Sequence, residues 1–117
     1  MTEEVKNVHR EPHPFVGNAH MTNFIGRTIS YVGKIESVGD GELIMHQHNR
    51  EATVKVIRYR GDLGLTAGMI IEVRGIVNKD GSISFGEYTA YDPEFDLASF
   101  ETMLGYYHGM CKDLTNK

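Results

Sequence analysis

Thr28-Ile-Ser-Tyr-Val-Gly-Lys-Ile-Glu-Ser-Val38 decides how this chain is read. The run is long and rich in β-branched residues, the composition that suits a pleated, half-buried surface. Gly33 interrupts it in the middle, where a glycine marks a bulge or a sharp bend.

Working outward, Gly39-Asp-Gly41 forms a hairpin turn into Glu42-Leu-Ile-Met-His46, and Gln47 to Arg50 makes a second turn. The third run, Ala52 to Tyr59, alternates, with Val54 and Val56 on one face and Thr53, Lys55 and Ile57 on the other. Arg60 to Gly68 is too rich in glycine for a helix and reads as a connection. Met69 to Val77 is the fourth run, Asn78-Lys-Asp-Gly81 a turn, and Ser82 to Tyr91 the fifth. Five strands, a kinked first strand, a connection after the third and an appended helix predict an all-β fold. Its architecture is a five-stranded OB-fold barrel with a short N-terminal helical turn and a long C-terminal helix. An SH3-like barrel is the competitor, disfavoured by the long apolar terminal helix.

That helix carries the second signal. Leu97, Phe100, Leu104, Tyr107, Cys111 and Leu114 recur at 3-4-3-4-3 spacing and occupy successive a and d positions of a heptad. Met103 and Met110 fall at the adjacent g position, which makes the stripe wider than a two-stranded seam needs. The reading is a partner-binding helix with more than one neighbour, on a barrel that is otherwise self-contained. Either Asp92, with Pro93 in the first turn, or Asp96 can cap it. Gly105 and Gly109 each cost up to about 1 kcal/mol in an isolated helix, so packing must hold it together.

The boundaries expected are a flexible arm over 1–17, the barrel over 18–91 and the assembly helix over 92–117. The arm has two of the three prolines and no apolar period. After it, Ala19 to Ile25 reads as a short amphipathic turn that plugs the barrel with Met21, Phe24 and Ile25 and ends at Gly26, a left-handed cap.

Bulk properties narrow the function. A chain of 117 residues is one ordinary domain. No stretch approaches the roughly 18 apolar residues of a membrane span, and the first residues lack the order of a signal peptide, so a soluble intracellular protein is expected. The lone cysteine, Cys111, excludes an internal disulfide and sits at the helical seam as a small apolar residue. The net charge of -4 does not make the strong basic field of an autonomous nucleic-acid binder. The distribution is uneven, with a net +3 from Arg50 to Lys79 and -3 from Asp92 to Lys117.

The order Phe24-Ile-Gly-Arg-Thr-Ile-Ser-Tyr-Val-Gly-Lys-Ile-Glu-Ser-Val38, Ile70-Ile-Glu-Val-Arg-Gly-Ile-Val77 and Phe95-Asp-Leu-Ala-Ser-Phe-Glu-Thr-Met-Leu-Gly-Tyr-Tyr-His108 resembles the smallest subunit of replication protein A, the eukaryotic single-stranded DNA-binding heterotrimer. The resemblance runs from about Met21 to Gly109. It implies a nuclear subunit of DNA replication, repair and recombination that acts mainly in assembly. Its C-terminal helix would form a three-helix bundle with the middle and large subunits, and single-stranded DNA would be bound mainly through the complex. A small OB subunit of a telomere-end capping complex shares this architecture.

Candidate DNA contacts are Lys34, Lys55, Arg58, Tyr59, Arg60, Arg74 and Tyr88, the cations and aromatics expected at the surface on or near the second and third strands and their loops. Tyr31 and Phe85 read as core. The interleaving of cations with stacking aromatics is thin, so an autonomous single-stranded nucleic-acid-binding module is the second function class, and a self-associating scaffold the third. His46-Gln-His48 places two imidazoles on one face of an extended segment, but no further ligands accompany them, and they read as surface turn histidines with no metal. No phosphate loop, nucleophile elbow or separated carboxylate pair is present, so no enzyme, cofactor or small-molecule substrate is expected.

Overall fold

The computed structural model describes residues 13–61 and 63–115, with Ala19 and residues 107–115 described by backbone alone. Five strands appear close to the expected bounds: β1 Thr28–Gly39, β2 Glu42–His46, β3 Thr53–Ile57, β4 Ile70–Val77 and β5 Ile83–Ala90. They close a barrel in the order β1-β2-β3-β5-β4, with β3 and β5 parallel and the other pairs antiparallel. This is the OB topology. The connection from β3 to β4 contains no helix among its described residues, as its glycines required.

β1 closes the barrel by changing partners. Thr28 to Lys34 pair with β4, Lys34 to Gly39 pair with β2, and Lys34 takes part in both ladders. Gly33 stands where the two ladders meet. A Cβ there would lie 2.7 Å from the His46 carbonyl oxygen and 2.9 Å from the Tyr31 ring, so only a glycine lets β2 approach this closely. The register shift itself comes between Ile35 and Ser37, past the glycine.

Alternation sends Ile29, Tyr31, Ile35, Leu43, Met45, Val54, Val56, Ile71, Val73, Val77 and Ile83 into the barrel, where all are buried. Each such side chain contributes roughly 1.5–3 kcal/mol of transfer free energy. The N-terminal turn is a 3-10 helix, Asn18–Phe24, and its Met21 belongs to this core. Ile25 does not: it is 42% exposed, because Gly26 turns the chain at φ 85° just beyond it. Phe24 packs half-buried against the core, with the Arg27 guanidinium 5.0 Å over its ring.

The expected arm also needs correcting at its inner end. Val16 is fully buried; its N–H donates to the Ser30 carbonyl, and the Ser30 N–H donates to that of Pro14. The physical reason lies in β1. β2 pairs only from Lys34 onward, so the edge of β1 away from β4 is open at Ser30, and the extended Pro14–Val16 segment fills it. Residues 1–12 of the arm lie outside the described residues.

A second apolar cluster lies outside the barrel. Val32 and Ile70 are buried beneath Leu97, with Phe15, Tyr91, Phe95 and Phe100 packed around them. The C-terminal helix, α1 Leu97–Thr115, is seated there. Among the described residues no helix is long and apolar enough to cross a membrane.

Candidate functional site

Asp96, not Asp92, caps α1. Its carboxylate accepts from the Ser99 N–H at 3.1 Å and the Ser99 hydroxyl at 2.8 Å, and these bonds hold its pKa below the usual carboxylate range. Pro93 therefore sits in the preceding turn, which the Phe95 N–H closes onto the Asp92 carbonyl.

The seat of α1 is aromatic. Tyr91 and Phe95 meet edge-to-face at 4.9 Å, Phe95 and Phe100 at 5.7 Å, and Phe100 and Phe15 edge-to-face at 5.7 Å. Leu97 and Leu104 are 8% and 3% exposed. The first three a and d positions are thus covered by the chain's own barrel, which corrects the expectation that Leu97, Phe100 and Leu104 face a partner. The helix had an intramolecular face to fill because Val32 and Ile70 point outward from β1 and β4, and a single strand's alternation does not say what covers its outer side. Met103, at 51%, and Tyr106, at 73%, remain exposed. At about 100° per residue, positions 107, 110 and 114 continue the row of position 103. The side chains of Tyr107, Met110, Cys111 and Leu114 lie outside the described residues.

The candidate DNA contacts do not form one surface. Lys34 is exposed beside a groove in which His48 and Arg50 face Glu94 and Asp96. Lys55 is exposed and 3.7 Å from Glu42. Arg58 and Arg60 are exposed, Arg58 at a positive φ of 65°. Two residues need correction. Tyr59 is buried, stacked edge-to-face on Phe85 at 5.6 Å, because the left-handed turn at Arg58 swings the next side chain inward. Arg74 is held between Glu72 at 2.7 Å and Glu87 at 2.8 Å and donates to Thr89. Burial works against its charge, but the hydrogen bonds to Glu87 and Glu72 outweigh that and raise its pKa. Tyr88 is half-buried against Phe85 and the core. Among the described aromatic side chains only Tyr106 is exposed, and it is on the helix.

His46 is not a surface histidine. It is 5% exposed, and its Nδ1 lies 2.7 Å from the Gln47 carbonyl, an acceptor only, so Nδ1 carries the proton. His48 is exposed, and its N–H donates to Glu101.

One polar assembly escaped sequence reasoning. Tyr91 donates its hydroxyl to Glu72 at 2.7 Å, and Glu72 also holds Arg74. Burial, then this hydrogen bond, pushes the Tyr91 pKa up to about 12. A phenol with a raised pKa in the folded state contributes stability that is complete below its ordinary value near 10 and is lost as pH rises toward 12. Tyr91→Phe should flatten that part of the alkaline unfolding curve relative to the parent, measured by thermal melts from pH 9 to 12.

A cleft of about 450 Å³ opens where α1 passes the 3-10 turn and the loop between β2 and β3. Gly17, Ala52, Leu104 and Gly105 supply its apolar wall, and Asn18, His20, Gln47, Asn49 and Glu101 its polar one. Asn18 is tied down, accepting from Tyr31 and donating to Ala52. Burial, with the Glu101 charge adding to it, raises the Tyr31 pKa.

The model of the family described as Replication factor A protein 3 matches residues 9–114. The barrel with its helix is similar to a chain of Ustilago maydis replication protein A in a structure bound to single-stranded DNA. The TM-score there is 0.71 at 21% identity, over 86% of this chain and 93% of that one. It is also similar to the telomere capping protein Ten1 of S. pombe, with a TM-score of 0.68 at 12% identity, over 83% and 98%. A chain of the S. pombe Stn1-Ten1 complex gives 0.69 at 12%, over 85% and 94%. Comparison with curated protein sequences gave no match. Likeness at these identities establishes the OB fold with its appended helix, and the family match, spanning nearly the whole chain, establishes kinship: this chain belongs to the Replication factor A protein 3 family.

Proposed function

We propose that this chain is the small structural subunit of a heterotrimeric single-stranded DNA-binding complex, replication protein A, acting in the nucleus in DNA replication, repair and recombination and catalysing no reaction. It joins the middle and large subunits in a three-helix bundle through the part of α1 that its own barrel leaves uncovered. The observation that carries this reading is the division of labour on α1. Leu97, Phe100 and Leu104 seat the helix, while Met103 and Tyr106 stay exposed and positions 107, 110 and 114 prolong the apolar row. An exposed row of large apolar residues on a rigidly seated helix marks an association surface.

DNA is reached mainly through the complex. Base stacking supplies about 1 to 3 kcal/mol per base in single-strand binders, and the described sheet surface offers no exposed aromatic for it. Arg74, moreover, is neutralised by two carboxylates. The lone chain is therefore expected to bind an oligonucleotide no better than about 10 µM at physiological salt, within the non-specific range. Fluorescence anisotropy checks this, and submicromolar binding would assign the DNA function to the chain itself.

The membership test is co-expression with candidate middle and large subunits, followed by size exclusion with light scattering. A stoichiometric heterotrimer supports the reading; a lone chain that only self-associates overturns it. A second reading places the chain in a telomere-end capping complex, favoured by the likeness to Ten1 over 98% of that protein's chain. Mass identification of the co-purifying subunits separates the two.

A further inference from the structure

The barrel is closed at β3 and β5 by two residue pairs only, Val56 with Ile83 and Ile57 with Ser84. A chain continuing straight beyond Ile57 would run beside Phe85 and the residues after it. Instead Arg58, at a φ of 65°, turns the chain away into the glycine-rich connection. The second half of β5 is therefore held by β4 on one side and by no strand on the other.

The register says which backbone groups face that open edge. The Tyr91 N–H donates to the Ile70 carbonyl at 2.9 Å, so positions 91, 89 and 87 turn their N–H and C=O groups to β4. Positions 88 and 90 turn theirs outward. Among the described residues, the backbone groups of Tyr88 and Ala90 have no partner on that side. Exposed strand edges are ordinarily blunted, and here the bulge at Gly86 does so at the start. Beyond it, Tyr88-Thr-Ala90 has neither a proline nor a lysine, and Thr89 and Ala90 are exposed.

The two faces beside this edge differ. Glu87 and Thr89 share the outer face with Glu72 and Arg74, where two carboxylates surround one guanidinium. On the other face Tyr88 packs half-buried against the core. We propose that the Tyr88–Ala90 edge of β5 takes an extended segment of a partner polypeptide by strand addition. The fitting segment carries lysine or arginine across from Thr89, within diagonal reach of Glu87, and uncharged apolar residues across from Tyr88 and Ala90. A second copy adding its own β5 would set the same excess of carboxylates against this one, so charge favours a basic partner strand. The site is separate from α1 and does not rest on the assembly reading above.

The probe is the peptide acetyl-Thr-Val-Lys-Val-Thr-amide, titrated into the full-length isolated chain and followed by NMR. It should give saturable shifts of the Tyr88 and Ala90 amides. N-methylation of both valines removes the donors that pair with the edge and should abolish those shifts. Replacing the peptide's lysine by glutamate should weaken binding about fivefold. Ala90→Pro deletes an N–H that points away from β4, so the variant should keep its Tm within about 3 °C of the parent and lose the peptide. Equal binding of the N-methylated peptide, or shifts that miss β5, overturns the site, and this holds even where Ala90→Pro fails to fold. Equal binding of the lysine and glutamate peptides overturns the basic partner. Dimerisation of the lone chain that Ala90→Pro abolishes would make the occupant a second copy and overturn it as well.

Discussion

Met103→Glu combined with Tyr106→Asp should leave the isolated chain folded and abolish its assembly with partner subunits. Both side chains are exposed, 51% and 73%, so each substitution should change the stability of the lone chain by no more than about 0.5 kcal/mol. At a helical interface the same positions are large apolar anchors, and each loss there is expected to cost roughly 2–4 kcal/mol, so together about a thousandfold or more in affinity. Leu104→Asp has the contrary signature. Leu104 is 3% exposed in the chain's own seat, and a charge there should destabilise the lone chain by more than the roughly 2–5 kcal/mol of a buried Leu→Ala change. Thermal melts of the isolated chains, beside co-purification of the complexes, distinguish the two. A complex that survives the double substitution would place the interface elsewhere.

Gly75→Ala should be the most damaging conservative change in the barrel. The register of β4 against β5 shifts between Arg74 and Gly75, leaving Gly86 as the extra residue on β5. A Cβ on Gly75 would be driven into the Ser84 carbonyl oxygen and come within 2.8 Å of Ile83 Cγ2. A Cβ on Gly86 would lie 2.7 Å from the Arg74 carbonyl oxygen. The obstacle is backbone on both sides of the bulge, so no rotamer change relieves it, and the two strands must separate. A cost above about 4 kcal/mol is expected, from a total stability of about 5–15 kcal/mol, with a fall in Tm on the order of 15 °C or loss of soluble protein. A melting point within 3 °C or so of the parent would show that the bulge has another register available.

Much of the barrel was legible in the chain. Alternation placed Val54 and Val56 inside and Thr53 and Lys55 outside, turn residues delimited the strands to within a residue or two, and Gly33 announced the bend of β1. The misreadings share a cause. Pro14–Val16, Tyr59 and Leu104 were each assigned by local pattern, and each was decided by a surface that local pattern does not show: the open edge of β1, the inward turn after Arg58, and the apolar outer side formed by Val32 and Ile70. His46 and Gln47 followed the same rule, since polar residues in a turn are exposed by default and these two are buried by the segments folded over them.

The terminal stripe shows most plainly where sequence ends and structure begins. Heptad spacing at Leu97, Phe100, Leu104, Tyr107, Cys111 and Leu114 determined that a helix with one broad apolar face exists, because periodicity is a property of the chain alone. Which residues of that face meet the chain's own barrel is a property of distance between segments far apart in sequence. Only the tertiary structure could assign Leu97, Phe100 and Leu104 to Val32 and Ile70, leave Met103 and Tyr106 open, and bring Gln47 and Glu101 together on the other flank. An apolar side chain gains the same free energy from any surface that excludes water, so the sequence states the need for burial and the fold decides what meets it.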